Sequence, residues 1–277
     1  MGLLQVIMAE ILQGITLIKI GVAVLMVVGL SVLAEHVSTR FAGLFSGFPL
    51  GAAITLFFIG YEIGPAFASQ SAVYTVFGLI GTLFFVCGYY AGSVALGGRS
   101  GVVAALGATL GGVLLYFAAT LLLRFFRVGL FGAVLSTASA IAVATCMFHH
   151  LKNVYIDKPL RLGPRQLISR ALFSAGVITL ITASARIVGS HWAGLLSAFP
   201  MTMLPFVFII HTIYRAEHVW SIIKNVPRGL VAIVAYGAVV SAAYPRHGIW
   251  WGTLEGYLAA TVYLLLLHLP VLHRVRK

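Results

Sequence analysis

Charged residues are scarce in this chain, and their scarcity excludes a soluble fold. Only 9% of the 277 residues are charged and 61% are hydrophobic, whereas soluble domains average roughly 25% charged residues. Asp and Glu together number six. No Gly-x-Ser-x-Gly elbow, phosphate-binding loop or His-Glu-x-x-His motif accompanies them. We therefore expect a membrane protein that is not an enzyme.

Cysteine is almost absent as well. Cys87 and Cys146 each lie in an apolar segment, which predicts neither a disulfide framework nor a metal site, and we expect no cofactor. The formal net charge is +12. In so apolar a chain, this charge favours contact with anionic membrane lipids and not with nucleic acid.

Long apolar runs are what the sequence has in abundance. They predict an all-α, polytopic transmembrane bundle of about nine spans, because a helix needs roughly 20 apolar residues to cross a bilayer. None of the runs shows the alternation of a transmembrane β-strand. The predicted spans are residues 12–34, 42–63, 71–93, 101–123, 130–150, 168–189, 192–214, 222–244 and 248–272.

Basic residues predict the orientation. A cytoplasmic C-terminus places most of the 18 Lys and Arg residues on the inner side, as the positive-inside rule requires. With nine spans, the N-terminus then lies outside.

An internal repeat divides the chain. The segment AGLFSGFP at residues 42–49 recurs as AGLLSAFP at 193–200, with six of eight positions identical at a spacing of 151. At this spacing Lys19 falls on Arg170. These matches predict two four-span units, 1–128 and 167–277, joined by a fifth span and a cytoplasmic loop, 129–166. An odd number of crossings inverts the second unit, an architecture common in secondary transporters.

The repeated segment supplies the first candidate substrate-binding residues: Ser46, Pro49, Ser197 and Pro200. Proline inside a span predicts a kink or a helix that begins there. A helix beginning at the proline would point its positive end at an anion inside the bundle. The alternative is a kinked helix whose small residues serve only close packing.

Ionisable residues within the spans supply the other candidates. Lys19 and Arg170 could bind an anion near opposite faces, or extend to the interface. Arg186 needs an anion or a carboxylate. Glu255, about 10 Å deep in the last span, is expected to pair with Lys19 or Arg186, either as a coupling residue or in a structural ion pair.

Two further side chains complete this set. Glu62, at the outer end of the second span, is expected to be solvated. His211 either responds to pH or packs through a hydrogen bond.

The second half resembles a known family. Residues 193–200 (AGLLSAFP), with His211 and Tyr214 downstream, are similar to the GlpM-like family of small bacterial inner-membrane proteins, which have about four spans. The resemblance is best over 168–272, and the first half departs from it with Gly60 at the position equivalent to His211. It implies that this chain is a fused, duplicated form located in the bacterial inner membrane.

Two functions from different classes fit these patterns. The first is a transporter or flippase that moves an anionic small molecule or a lipid-linked intermediate by alternating access. The second is a non-transporting scaffold or regulatory subunit bound to envelope-assembly proteins. A transporter predicts a polar cavity where Pro49 and Pro200 meet, whereas a scaffold predicts apolar filling there. The patterns do not fix the oligomeric state.

Overall fold

A computed structural model describes residues 17–22, 24–25, 48–97, 101–152, 154, 163–214 and 216–275, with side chains up to residue 267. Within these ranges, helix is the only regular secondary structure, and turns and bends join the helices. After a helical stretch at 17–22, the elements are α1 (Leu50–Glu62), α2 (Pro65–Ala95), α3 (Gly101–Leu123), α4 (Leu130–Met147), α5 (Pro164–Ser197), α6 (Met203–Ile213) and α7 (Ala216–Val275). Ser46 lies outside the described residues.

Five of these helices are long and apolar enough to cross a membrane. They are α2, α3, α4, α5 and α7, of which α7 qualifies over Ala216–Leu267. The chain is therefore all-helical in its described part and compatible with a multi-pass membrane protein, as the composition predicts.

Glycine breaks the two longest helices. Gly189 within α5 has φ 80° and Gly248 within α7 has φ 76°, values that favour glycine because a Cβ atom would be strained there. The 60 residues of α7 would extend about 90 Å as one straight helix. The breaks fall close to the predicted boundaries at 189 and 248.

The predicted span boundaries agree best with the observed helix ends where a helix ends at polar or glycine residues. The span predicted at 101–123 coincides with α3, and α4 ends three residues before the predicted 150. The span predicted at 192–214 is instead two helical pieces, because α5 ends at Ser197 and α6 begins at Met203. Of the span predicted at 42–63, α1 covers Leu50–Glu62, and residues 42–47 lie outside the described residues.

Helix α2 occupies the centre of the bundle. It packs most extensively against α3, and it also contacts α4, α5 and α7. Small residues allow the closest approach: a Cβ atom on Gly92 would lie 2.8 Å from the Cα atom of Ala108 on α3. By contrast, α3 and α4 leave many large apolar side chains exposed, as lipid-facing helices do.

The bundle has two ends that the side-chain contacts define. At the Glu62 end, Arg186 of α5 contacts the last residue of α1, and Ser190 donates to Gln70 in the second turn of α2 at 2.8 Å. At the His211 end, Tyr89 of α2 contacts the last turn of α6, and Trp220 of α7 donates to Ser93 at 2.8 Å. The short helices α1 and α6 therefore end at opposite ends of α2.

Candidate functional site

Two short helices begin at the repeated prolines inside the bundle. Pro49 precedes α1, where the Leu50 amide donates to Phe48 O at 2.7 Å and the Ala53 amide to Pro49 O at 2.8 Å. The same pattern occurs 151 residues later: the Met201 amide donates to Phe199 O at 2.7 Å and the Leu204 amide to Pro200 O at 2.8 Å. The prediction of helices that begin at the prolines is confirmed for Pro49, and α6 follows Pro200 by a single turn.

The beginnings of the two helices meet. A Cβ atom on Gly51 of α1 would lie 2.8 Å from Met201 Cγ, so the two segments touch through a glycine. A cavity of about 30 Å³ remains beside this contact, which is room for about one water molecule. Apart from Thr82, Ser197 and Thr202, its side chains are apolar, so the described residues do not form the polar cavity that a transporter predicts where Pro49 and Pro200 meet. We call this region, Phe48–Ala52 with Ala198–Met203, the junction.

Three hydroxyl groups hold the interrupted chain at the junction. The Tyr116 hydroxyl donates to Leu195 O at 2.8 Å, Thr82 to Ala198 O at 2.6 Å and Ser174 to Met201 O at 3.0 Å. All three side chains are buried. They occupy carbonyls that a continuous helix would bond to its own amides, which apolar surroundings require.

Sequence reasoning missed these hydroxyl donors. The signal that could have found them is a buried hydroxyl on a helix facing a proline break. Ser197, which sequence reasoning chose as substrate-binding, is buried and donates back to Ala193 O at 2.6 Å within its own helix.

Lys19 and Glu62 form a buried ion pair at the Glu62 end of the bundle. Lys19 Nζ is 2.6 Å from Glu62 Oε1 and donates to Thr182 Oγ1 at 2.8 Å. Lys19 is 2% exposed and the Glu62 side chain 14%. The prediction that Glu62 is solvated is wrong, because the end of α1 faces the helical residues 17–22 and α5. The carboxylate that neutralises Lys19 is therefore Glu62 and not Glu255.

Arg186 binds the C-terminal end of α1. Its guanidinium donates to the backbone oxygen of Glu62, the last residue of α1. A cation there satisfies a carbonyl that has no partner within the helix and interacts favourably with the helix dipole. The expected pairing of Arg186 with Glu255 is not what the structure shows.

Glu255 lies on the surface of the bundle. Its Oε1 is 2.7 Å from His247 Nδ1 across the break at Gly248, and the two side chains are 38% and 53% exposed. Depth along the last span does not bury this residue, because its side of the helix faces outward. The structure thus gives Glu255 a local partner and separates it from Lys19 and Arg186.

His211 and Arg170 occupy the half of the bundle near the His211 end. His211 is buried, with Nδ1 3.1 Å from the Tyr89 hydroxyl, and it borders a cavity of about 380 Å³ together with Tyr214 and Glu217. Arg170 places its guanidinium carbon 4.9 Å from the centre of the Phe206 ring. Neither residue reaches the junction cavity.

An apolar groove lies beside the buried ion pair. Its volume is about 560 Å³. The walls are almost entirely aromatic and aliphatic, and they include Ile18, Val22, Ile54, Phe57, Tyr61, Trp250 and Tyr257. Such walls fit hydrocarbon chains far better than a soluble polar molecule.

No matching family, curated protein or solved structure is found for this chain in comparisons with known proteins. The resemblance to the GlpM-like family therefore stays a prediction from the residues of the second half. Within the described part of the chain, no three His, Cys, Asp or Glu side chains lie close enough to hold a metal ion. The candidate functional features of the described chain are therefore the junction, the Lys19–Glu62 ion pair and Arg170.

Proposed function

We propose that this protein is a membrane carrier that moves an anionic small molecule or a lipid-linked intermediate by alternating access at the junction. The observation that carries the proposal is the pair of short helices, α1 and α6, that begin against each other inside the bundle and end at opposite ends of α2. Interrupted helices that meet within a membrane are the form in which many secondary transporters build their substrate sites.

The spacing of 151 residues supports an inverted repeat behind this arrangement. Shifted by 151, the bounds of α1 become 201–213, and α6 is Met203–Ile213. The same shift brings the first residue of α2 to Ala216, the first residue of α7. A third pair of hydrogen bonds repeats too: the Ile63 amide donates to Ile59 O and the Tyr214 amide to Ile210 O, both at 2.9 Å.

The proposed topology follows from this repeat. In it, nine spans form two inverted four-span units with α4 unrepeated. The positive-inside rule sets the N-terminus outside and the C-terminus in the cytoplasm, in the bacterial inner membrane that the family resemblance implies. In this arrangement the protein is closed at the junction. Transport requires α1 and α6 to separate on one side of the membrane at a time. Membrane lipids are the surrounding partner.

A non-transporting subunit that binds envelope-assembly proteins is the second candidate. The observation that favours it is the filled junction, whose cavity of about 30 Å³ admits about one water molecule. In this role the repeat would serve packing alone, and the junction would stay closed.

Thiol labelling separates the two candidates without knowledge of the substrate. Ser197→Cys in a chain with Cys87→Ala and Cys146→Ala places a single thiol at the junction, where the native side chain is 1% exposed. A membrane-impermeant maleimide is applied to sealed vesicles of either orientation. Ala108→Cys, equally buried on α3 but outside the junction cavity, is the matched control.

A carrier predicts labelling at position 197 from both sides of the membrane, at rates well above those at position 108. Labelling from neither side, at the rate of the control, would reject alternating access and favour the non-transporting subunit.

A further inference from the structure

The repeat duplicates a cation without duplicating its counter-ion. At the spacing of 151, Lys19 corresponds to Arg170 and Glu62 corresponds to Ile213. In the first half the carboxylate lies 2.6 Å from the Lys19 ammonium. In the second half an apolar residue stands at the position of that carboxylate.

The two cations share one kind of contact, with an aromatic ring, although Phe58 and Phe206 do not correspond to each other at the spacing of 151. Lys19 Nζ lies 5.9 Å from the ring centre of Phe58 on α1, and Arg170 Cζ lies 4.9 Å from that of Phe206 on α6. Each cation therefore rests against a phenylalanine of the short helix in its own half, a contact that is attractive for a positive charge.

Arg170 lacks the partners that Lys19 has. Over the described ranges, no Asp or Glu oxygen lies within 4.0 Å of its guanidinium, and its buried Nε has no hydrogen-bond partner. Arg170 as a whole is half-buried. Arginine keeps its charge in proteins, so a half-buried guanidinium whose Nε is unpaired is unfavourable. The side chain thus offers hydrogen-bond donors and a charge that an anion would satisfy.

Arg170 does not reach out toward the end of the bundle. It lies six residues after the start of α5 at Pro164, about 9 Å along the helix. Its guanidinium packs on Phe206, seven residues before the end of α6 at Ile213. The group therefore stays at the depth of its own backbone, whereas an arginine extending to the interface would turn toward the ends of these helices.

We infer that Arg170 binds the acidic group of the transported molecule, a carboxylate or a phosphate, in the place that Glu62 fills beside Lys19. The inference rests on the proposed carrier function for its role in transport, but binding can be measured without movement. A lipid headgroup and a soluble anion share this chemistry. Arginine suits both, because its planar donors engage two oxygens at once.

The test uses the full chain in nanodiscs of phosphatidylcholine with phosphatidylglycerol, followed by native mass spectrometry. We expect the wild-type protein to retain one phosphatidylglycerol and Arg170→Gln to lose it, with affinity lowered roughly tenfold to a hundredfold. Arg165→Gln is the matched control, since Arg165 is exposed on the same helix and the charge change is the same. Arg170→Lys keeps the charge, and we expect weaker but measurable binding.

A parallel titration identifies a soluble ligand. With phosphatidylcholine as the sole lipid, inorganic phosphate should raise the unfolding temperature of the wild-type protein and of Arg165→Gln, but not of Arg170→Gln. Protection by phosphate points to a soluble anion, and retention of phosphatidylglycerol points to a lipid.

Two results would overturn the inference. One is equal binding by the Arg170 and Arg165 variants, and another is no binding of either probe by the wild type. If the Arg170 binding tests fail but position 197 is labelled from both sides, the anion site is rejected and the carrier function is retained. If Arg170 binds an anion but position 197 is labelled from neither side, the anion site is retained and the carrier function is rejected.

Discussion

Removing one partner of the buried Lys19–Glu62 pair should destabilise the protein more than removing both partners. Lys19→Met leaves the Glu62 carboxylate without its ammonium 2.6 Å away. Removing one partner of a buried pair costs about 3–5 kcal/mol. Because the Glu62 side chain is 14% exposed, we expect the lower end, about 3 kcal/mol for either Lys19→Met or Glu62→Gln.

The double variant reports the coupling directly. With both charges gone, no unpaired ion remains, so Lys19→Met with Glu62→Gln should cost less than either single variant, which corresponds to a coupling energy above about 3 kcal/mol. The assay is the unfolding midpoint of each purified variant in one neutral detergent, followed by intrinsic tryptophan fluorescence.

The surface pair His247–Glu255 is the matched control. Its partners are at a similar distance, 2.7 Å, but they are 53% and 38% exposed, and pairs of this kind contribute about 0–1 kcal/mol. Additive effects of the Lys19 and Glu62 substitutions, with a coupling no larger than that of the control pair, would refute the reasoning that burial makes this contact strong.

Three more expectations concern the junction and α1. Thr82→Val removes the hydroxyl that bonds Ala198 O and should lower stability by about 1–3 kcal/mol, while Thr82→Ser, measured in the same thermal assay, should retain most of it. Gly51→Ala should destabilise by about 1–3 kcal/mol through overpacking, because its Cβ atom would meet Met201. In a Met201→Ala background that loss should disappear; a loss of equal size in both backgrounds would exclude the contact. Arg186→Gln should speed hydrogen exchange in the last turn of α1, whose terminal carbonyl it bonds, and unchanged exchange there would contradict the capping role.

The amino-acid sequence predicts those features of the fold that depend on a single helix. Apolar length predicts the helical class and the bounds of α3. Proline predicts the start of α1, because its missing amide and its ring act on the adjacent backbone alone. The breaks near 189 and 248 were predictable for the same reason, since glycine and polar residues interrupt the apolar runs there.

Partners across helices could not be predicted in this way. The position of Glu255 along its span gives a depth of about 10 Å, but it does not say which side of the helix faces the bundle. Glu62 sits at the end of α1, where sequence reasoning expected solvent, yet the shortened helix turns that carboxylate toward Lys19. Thr82, Tyr116 and Ser174 come from three different helices, and nothing local marks them as a group.

The short connections at the Glu62 end determine where a soluble protein could recognise this molecule. Ile63 and Gly64 join α1 to α2, the six residues 124–129 join α3 to α4, and single glycines turn the chain within α5 and α7. Connections this brief leave little backbone free to add to another protein's surface. The connections described at that face therefore make a poor docking platform for a soluble partner.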